Sequence, residues 1–318
     1  MPSGFNLAGL SPWTDETSQG LISRAVLSPA TAQNVTIKPG LQAGTVALNI
    51  LGANLDIKDY SCGFGAGQVG NNQVVYTQKN ITIATKMVKN QFCPNDLRDY
   101  WLSSQMSASG YQETIPFEQA ISEYMVKRIA AQNEIFYWQG DGSSVAGLQD
   151  EISIANGAID GSAYASDLSS ATTAFDGFWG LVDTLAAQNP AVLQQEDLTA
   201  YMSMPTYSRL VQSLQLKGNA IISQYPNVSN VSGMPQNEFI FPGTTIRCVG
   251  LGGISDTGSP SIPYVAIGPK SMVFLGVGLD SDVDRLRLYY NESEDFVNLL
   301  AAYRFGVQAL SDQFVVTK

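Results

Sequence analysis

The longest amphipathic run in the chain follows Pro116. Phe117, Ile121, Tyr124, Met125 and Ile129 recur at three- and four-residue spacing, which predicts one apolar stripe along a helix. Thr114 is placed to cap that helix, and Pro116 falls in its first turn, where an unpaired N–H is expected anyway. Glu123 and Lys127 form an i,i+4 pair on the opposite side. Neither Gly nor Pro interrupts the run before Gly140, so about 22 residues make a rod of roughly 30 Å. It closes on Phe136-Tyr137-Trp138, which read as core, and on a Gly140-Asp141-Gly142 turn.

The remaining pattern divides around this rod. Residues 1–40 carry little periodicity and read as an extended arm with one short helix near the apolar run Leu21–Leu27. Thr45–Leu51 leads out as a strand, and Gln73–Tyr76 and Ile81–Thr85 lead back, around a Gly-rich middle, residues 62–72. Residues 94–106 predict a short helix, and Asp150–Asp167 a connecting segment. Phe175, Phe178, Trp179, Val182, Leu185 and Ala186 predict a helix stopped by Asn189-Pro190. Thr199–Met204 reads as a buried strand, and Pro205 starts a further helix through Tyr207, Leu210, Val211 and Leu214, closed by Lys217-Gly218. Residues 223–243 read as a polar loop, followed by a strand at Thr244–Val249. From Tyr264 onward the pattern is mostly β: Tyr264–Ile267, Ser271–Leu275, Leu286–Tyr290, Val297–Phe305 and Gln313–Val316.

Composition narrows the chemistry. The chain has 318 residues, 44% hydrophobic and only 14% charged, with a formal net charge of -11. That balance argues against a free-standing nucleic-acid binder and suits a surface largely covered by neighbours. Histidine is absent, which removes Ser-His-Asp and Cys-His catalysis and His-ligated zinc. Cys62, Cys93 and Cys248 are dispersed and odd in number, so free thiols in a reducing compartment are expected, with no disulfide framework and no metal. No basic-apolar leader opens the chain, and no run of 18 apolar residues predicts a membrane span. GFGAGQVG lacks the following Lys-Ser/Thr and the helix of a phosphate loop, so it reads as a loop tip. Asp280, Asp282 and Asp284 have the spacing of a calcium loop, but Arg285 stands where Gly is needed and Asn291 where Glu is needed. No cofactor, metal or catalytic residue is assigned.

The order of elements carries more than any motif. FEQAISEYMVKRIAAQNEIFYWQGDGS, LTAYMSMPTYSRLVQSLQLKGN and YVAIGPKSMVFLGVGLDSDVDRLRLYYNESEDFVNLLAAYRFGVQAL resemble, in kind and order, the spine helix, the axial-domain strand and helix, and the C-terminal sheet of one family. That family is the major capsid protein of tailed double-stranded DNA phages, with the Hong Kong 97-like fold, and the likeness covers roughly residues 40–316. It implies an α+β chain in five parts: an N-terminal arm (1–42), an extended β loop (43–88), a peripheral domain with the spine helix (89–167), an axial domain (168–265) and the peripheral C-terminal sheet (266–318). It further implies homo-pentamers and homo-hexamers of an icosahedral shell around packaged DNA, with scaffolding, portal and decoration proteins as partners. No membrane is involved, and the location is the virion after assembly in the host cytoplasm. Phe64, Gln68, Val69, Asn71 and Asn72 at the loop tip are the expected inter-subunit contacts. The tip, residues 61–72, has no lysine, so a Lys–Asn crosslink of the archetype's kind is not expected there.

Three other readings fit parts of the pattern. An encapsulin-type nanocompartment shell shares the fold. A histidine-free carboxylate hydrolase needs two paired acids, which no spacing singles out. A decoration protein binding an existing shell would not self-assemble.

Overall fold

The apolar stripe after Pro116 becomes a 23-residue helix, α1 (Phe117–Gln139), in a computed structural model of the chain. The structure describes residues 26–27, 29–54, 73–92, 117–195, 197–217, 237–256, 262–278, 285–291 and 296–317. Thr114, Pro116 and the short helix expected at 94–106 lie outside them. Among the described side chains of α1, Met125, Val126, Ile129, Asn133, Tyr137 and Trp138 are buried, a face that recurs mainly every four residues. Tyr124, counted into the stripe from sequence, is 58% exposed. It lies one residue before the buried face and instead meets Arg128, whose Nε donates to its Oη at 3.2 Å.

The strands in chain order are β1 (Thr36–Lys38), β2 (Gly44–Asn54), β3 (Gln73–Phe92), β4 (Ile159–Asp160), β5 (Leu198–Ser203) and β6 (Glu238–Ile240). They continue with β7 (Arg247–Leu251), β8 (Val265–Pro269), β9 (Val273–Val277), β10 (Arg285–Asn291), β11 (Phe296–Ala309) and β12 (Val315–Val316). Two further helices, α2 (Ala174–Gln188) and α3 (Met204–Leu216), match the sequence expectation within a residue or two. Ser203 caps α3 by accepting the Thr206 N–H at 3.3 Å.

Among the described residues two six-stranded sheets form. The first runs β1-β9-β11-β3-β2, with β10 also paired to β11. Phe305 pairs with both Ala84 and Val277, and Ala301 with both Val88 and Leu286, so β9 and β10 lie end to end along one edge of β11 while β3 takes the other. The second sheet runs β4-β12-β8-β5-β7-β6. Residues 266–318, grouped by sequence into one sheet, are divided by pairing: β9, β10 and β11 join the first sheet, and β8 and β12 join β5 and β4 in the second. Alternation shows which face of a strand is apolar and is silent on which sheet receives it.

The second sheet is covered on both faces. Tyr201, Val249, Tyr264 and Ala266 face the cluster that holds α1, while Ala200, Met202, Cys248 and Val265 face the cluster that holds α2 and α3. All six residues of β5 are therefore buried, which explains its unbroken apolar run. On the first sheet Leu299, Ala301, Tyr303 and Phe305 face the cluster that holds α1; on the other side Ile81 and Ile83 are buried against Gly276 and Gly306, while Thr85, Met87 and Lys89 are exposed.

β3 joins two runs that the sequence separates. It is one strand of 20 residues, paired to β2 through Ile83 and to β11 from Ala84. At this change of partner the backbones approach closely. A Cβ on Gly306 of β11 would lie 2.2 Å from the Thr82 carbonyl oxygen, and one on Gly276 would lie 2.6 Å from Ile83. Because the obstacle at Gly306 is backbone, Gly306→Ala is expected to destabilise the fold by about 1–3 kcal/mol. Urea unfolding followed by intrinsic fluorescence measures this, and an unchanged midpoint would contradict the packing described.

Candidate assembly surfaces

Residues 26–38 lie across the C-terminal half of α1 and touch both sheets. Tyr137 Oη donates to the Val26 carbonyl at 2.9 Å, and Trp138 Nε1 donates to Thr31 Oγ1 at 2.6 Å. Thr31 passes this on, its hydroxyl donating to Glu134 Oε1 at 2.7 Å and its N–H to Oε2 at 3.1 Å. Asn34 Nδ2 donates to Glu238 Oε1 at 2.9 Å, while Tyr201 Oη donates to the Asn34 carbonyl at 2.7 Å. β1 then adds in parallel to β9. The described part of the arm is thus fastened to its own chain at the junction of helix and sheets. Its partners lie more than 100 residues away in sequence, so no local pattern marks them.

Burial pushes the Glu134 carboxyl above its usual range, opposed in part by the two Thr31 hydrogen bonds. Burial likewise raises the Tyr137 and Tyr201 phenols. Both hydroxyls therefore stay protonated and act as donors.

The turn after α1 is built by glycine and one carboxylate. Gly140 and Gly142 both have φ of 73°. Asp141 Oδ1 accepts the N–H groups of Ser143 at 3.0 Å, Ser144 at 2.9 Å and Val145 at 2.8 Å. Its Oδ2 meets Lys86 Nζ, which ties the turn to β3. Loss of water around Lys86 lowers its pKa.

From that base β2 and β3 continue as a two-stranded ribbon, antiparallel over the eleven pairs from Gly44–Ile83 to Asn54–Gln73. Among the described side chains, none in 44–48 or 78–80 is buried; burial begins at Ile81 and Ile83. A ribbon of this kind is not stable alone in water and needs a covering surface. The expected contact residues Phe64, Gln68, Val69, Asn71 and Asn72 lie outside the described residues, as do the acidic run 280–284 and residues 292–295.

The buried carboxylates serve the fold. Besides Glu134 and Asp141, Glu238 is held by Asn34 and lies 3.6 Å from Arg247, and Asp256 accepts the Tyr264 N–H at 3.2 Å. Among the described residues no group of three or more Cys, Asp or Glu could hold a metal, and no helix is long and apolar enough to cross a membrane. Cys248 is a buried free thiol whose pKa burial raises; Cys62 and Cys93 lie outside the described residues.

No protein-family model matches the sequence, and no curated protein matches it. Solved structures do match. A structure of Gordonia phage Cozz aligns over 99% of this chain and 90% of its own, with a TM-score of 0.53 at 13% identity. The capsid of Myoviridae phage XM1 aligns over 90% of each chain, with a TM-score of 0.53 at 10% identity. The capsid of a native GTA particle aligns over 92% of this chain and 89% of its own, with a TM-score of 0.51 at 14% identity. The chain therefore has the Hong Kong 97-like fold of tailed-phage capsid proteins, the α+β class expected from its element order.

Thr31→Ala leaves the buried Trp138 Nε1 without an acceptor and is expected to cost about 1–3 kcal/mol. Amide exchange across residues 26–38 should accelerate together with the loss of stability; exchange at the wild-type rate would contradict the fastening. A raised folded pKa means that the folded chain binds the Glu134 proton more tightly than the unfolded chain does. Stability from this group is thus present below the ordinary glutamate pKa and lost as pH rises through the higher folded value. Wild type should gain stability relative to Glu134→Gln as pH falls through that window, read from urea midpoints over a pH series.

Proposed function

We propose that this chain is the major capsid protein of a tailed phage. It assembles into pentamers and hexamers of an icosahedral shell that encloses double-stranded DNA without reading its sequence. The observation that carries this reading is the β2–β3 ribbon, none of whose described side chains at 44–48 and 78–80 is buried, on a fold shared with phage capsids. A neighbouring subunit supplies the missing cover. Its function is structural: many modest contacts and strand additions across subunits, with no catalytic step. An acidic chain encloses DNA without gripping it. Scaffolding, portal and decoration proteins are the further partners, and the virion is the destination after assembly in the host cytoplasm.

Expression of the full chain, followed by light scattering and negative-stain microscopy of the same fraction, tests this. Closed shells, tubes or rings of five and six subunits are expected. A chain that stays monomeric at high concentration, alone and with added scaffold, would sink the proposal.

A further inference from the structure

An open strand edge is a template for pairing with another chain, and proteins that must not pair blunt it with charge, proline, a bulge or brevity. Among the described strands, β1, β2, β4, β6 and β10 stand at sheet edges. Four of them are blunted. Lys38 lies in β1, Asp160 in β4, Glu238 in β6, and Arg285 and Arg287 in β10. β1, β4 and β6 are also only two or three residues long. β2 differs on every count. Its eleven residues, GTVALNILGAN, hold no charged residue and no proline. Its register with β3 runs through eleven successive pairs with none skipped, so no bulge turns the edge away. The other strand of the ribbon, β3, carries Lys79, Lys86 and Lys89.

Along an antiparallel strand, alternate residues turn both N–H and C=O toward the partner, and those between turn both away. Roughly half of the backbone groups of β2 therefore face away from β3, and no other described strand takes them. Gly44, Thr45 and Ala47 are exposed, and Val46 and Leu48 are half-buried. We infer that β2 pairs along this open edge with β2 of a second copy, antiparallel, so that two ribbons join into one four-stranded sheet in the order β3-β2-β2-β3.

The missing charge points to an identical partner. An edge that receives a different chain can select it with charge. An edge that receives its own copy cannot, because charges near the pairing axis would face like charges across it. β10 has two arginines in seven residues and would repel itself, whereas β2 would not. Symmetry agrees. Contact between identical edges is isologous and needs a two-fold axis, and an icosahedral shell has such axes between its capsomers. Alternation then fixes the parity of the register. Val46 lies opposite Ile81, and Val46 and Leu48 share one side of the ribbon while Thr45 and Ala47 share the other. Directly opposite residues lie on the same side of a sheet, so paired residue numbers must have an even sum. The inference rests on the shell reading and deepens it, by naming the edge through which two ribbons meet.

The test places single cysteines along β2 of the full-length chain, mixes two such variants grown in light and heavy nitrogen, assembles them and oxidises the product. Opposite positions on paired strands come within disulfide reach. Mixed-isotope disulfides between β2 and β2 are expected at position pairs that share one even sum, one number rising as the other falls. Peptide mass spectrometry separates them from links to the native Cys62, Cys93 and Cys248. Ala47→Lys, at an exposed position, should lower the assembled fraction about tenfold or more in low salt, because lysine on an edge blocks strand addition. Thermal unfolding of the unassembled variant should match wild type. Thr45→Lys, also exposed, should act in the same direction. If wild type assembles, yet β2 forms no mixed-isotope link to β2 and both lysine variants assemble as wild type does, the pairing is overturned and the shell reading stands. Links at a constant difference of residue numbers mark parallel addition and overturn the antiparallel pair. A wild-type chain that never assembles, alone or with scaffold, removes the shell reading and this pairing together.

Discussion

Two consecutive aromatic residues at the end of α1 hold the molecule together. Successive side chains on a helix point about 100° apart, so Tyr137 and Trp138 address different sheets. Tyr137 meets Phe305 of β11 edge-on at 5.2 Å between ring centroids. Trp138 meets Tyr201 of β5 at 5.4 Å and Tyr264 at 6.3 Å. Both are fully buried and each contributes a hydrogen-bond donor to the arm that lies over the joint. The surroundings are shaped to admit them. A Cβ on Gly253 would lie 2.0 Å from the Glu134 carbonyl, and one on Gly147 would lie 2.2 Å from the Trp138 carbonyl. The angle between helix and sheets, and with it the place where the ribbon leaves the body, follows from this contact.

Much of the fold was legible because periodicity reports local geometry. The stripe gave α1, Pro205 and Asn189-Pro190 marked an end of α3 and of α2, and the unbroken apolar run gave β5. The errors have physical causes. Tyr124 sits one residue off the buried face, and an amphipathic ring at a stripe's edge reads as apolar. The polar stretch Thr77–Asn80 hid the continuity of β3, because it breaks the apolar alternation on which the strand reading rests. β6 lay inside a stretch read as loop, being only three residues long and at the edge of its sheet.

The sites were less legible than the fold. Thr31, Asn34 and Glu134 are ordinary polar residues in sequence and gain their roles through partners brought together by topology. Gly140-Asp141-Gly142 was visible as a turn, but its reach to Lys86 on β3 was not.

β3 is worth reading as a mechanical part. Its 20 residues, at roughly 3.3 Å each, span roughly 65 Å without a joint. The outer half lies in the ribbon, and the inner half is riveted to β11 along nine register pairs, Phe92–Val297 to Ala84–Phe305. A pull on the ribbon along its axis therefore loads those backbone hydrogen bonds in shear, all together, where a hinge would open them one at a time. The ribbon acts as a tie-rod anchored in the body's own sheet. Force applied at the far end of the ribbon passes directly to the sheet that packs on α1, so the load is shared among nine backbone pairs at once and no single one carries it.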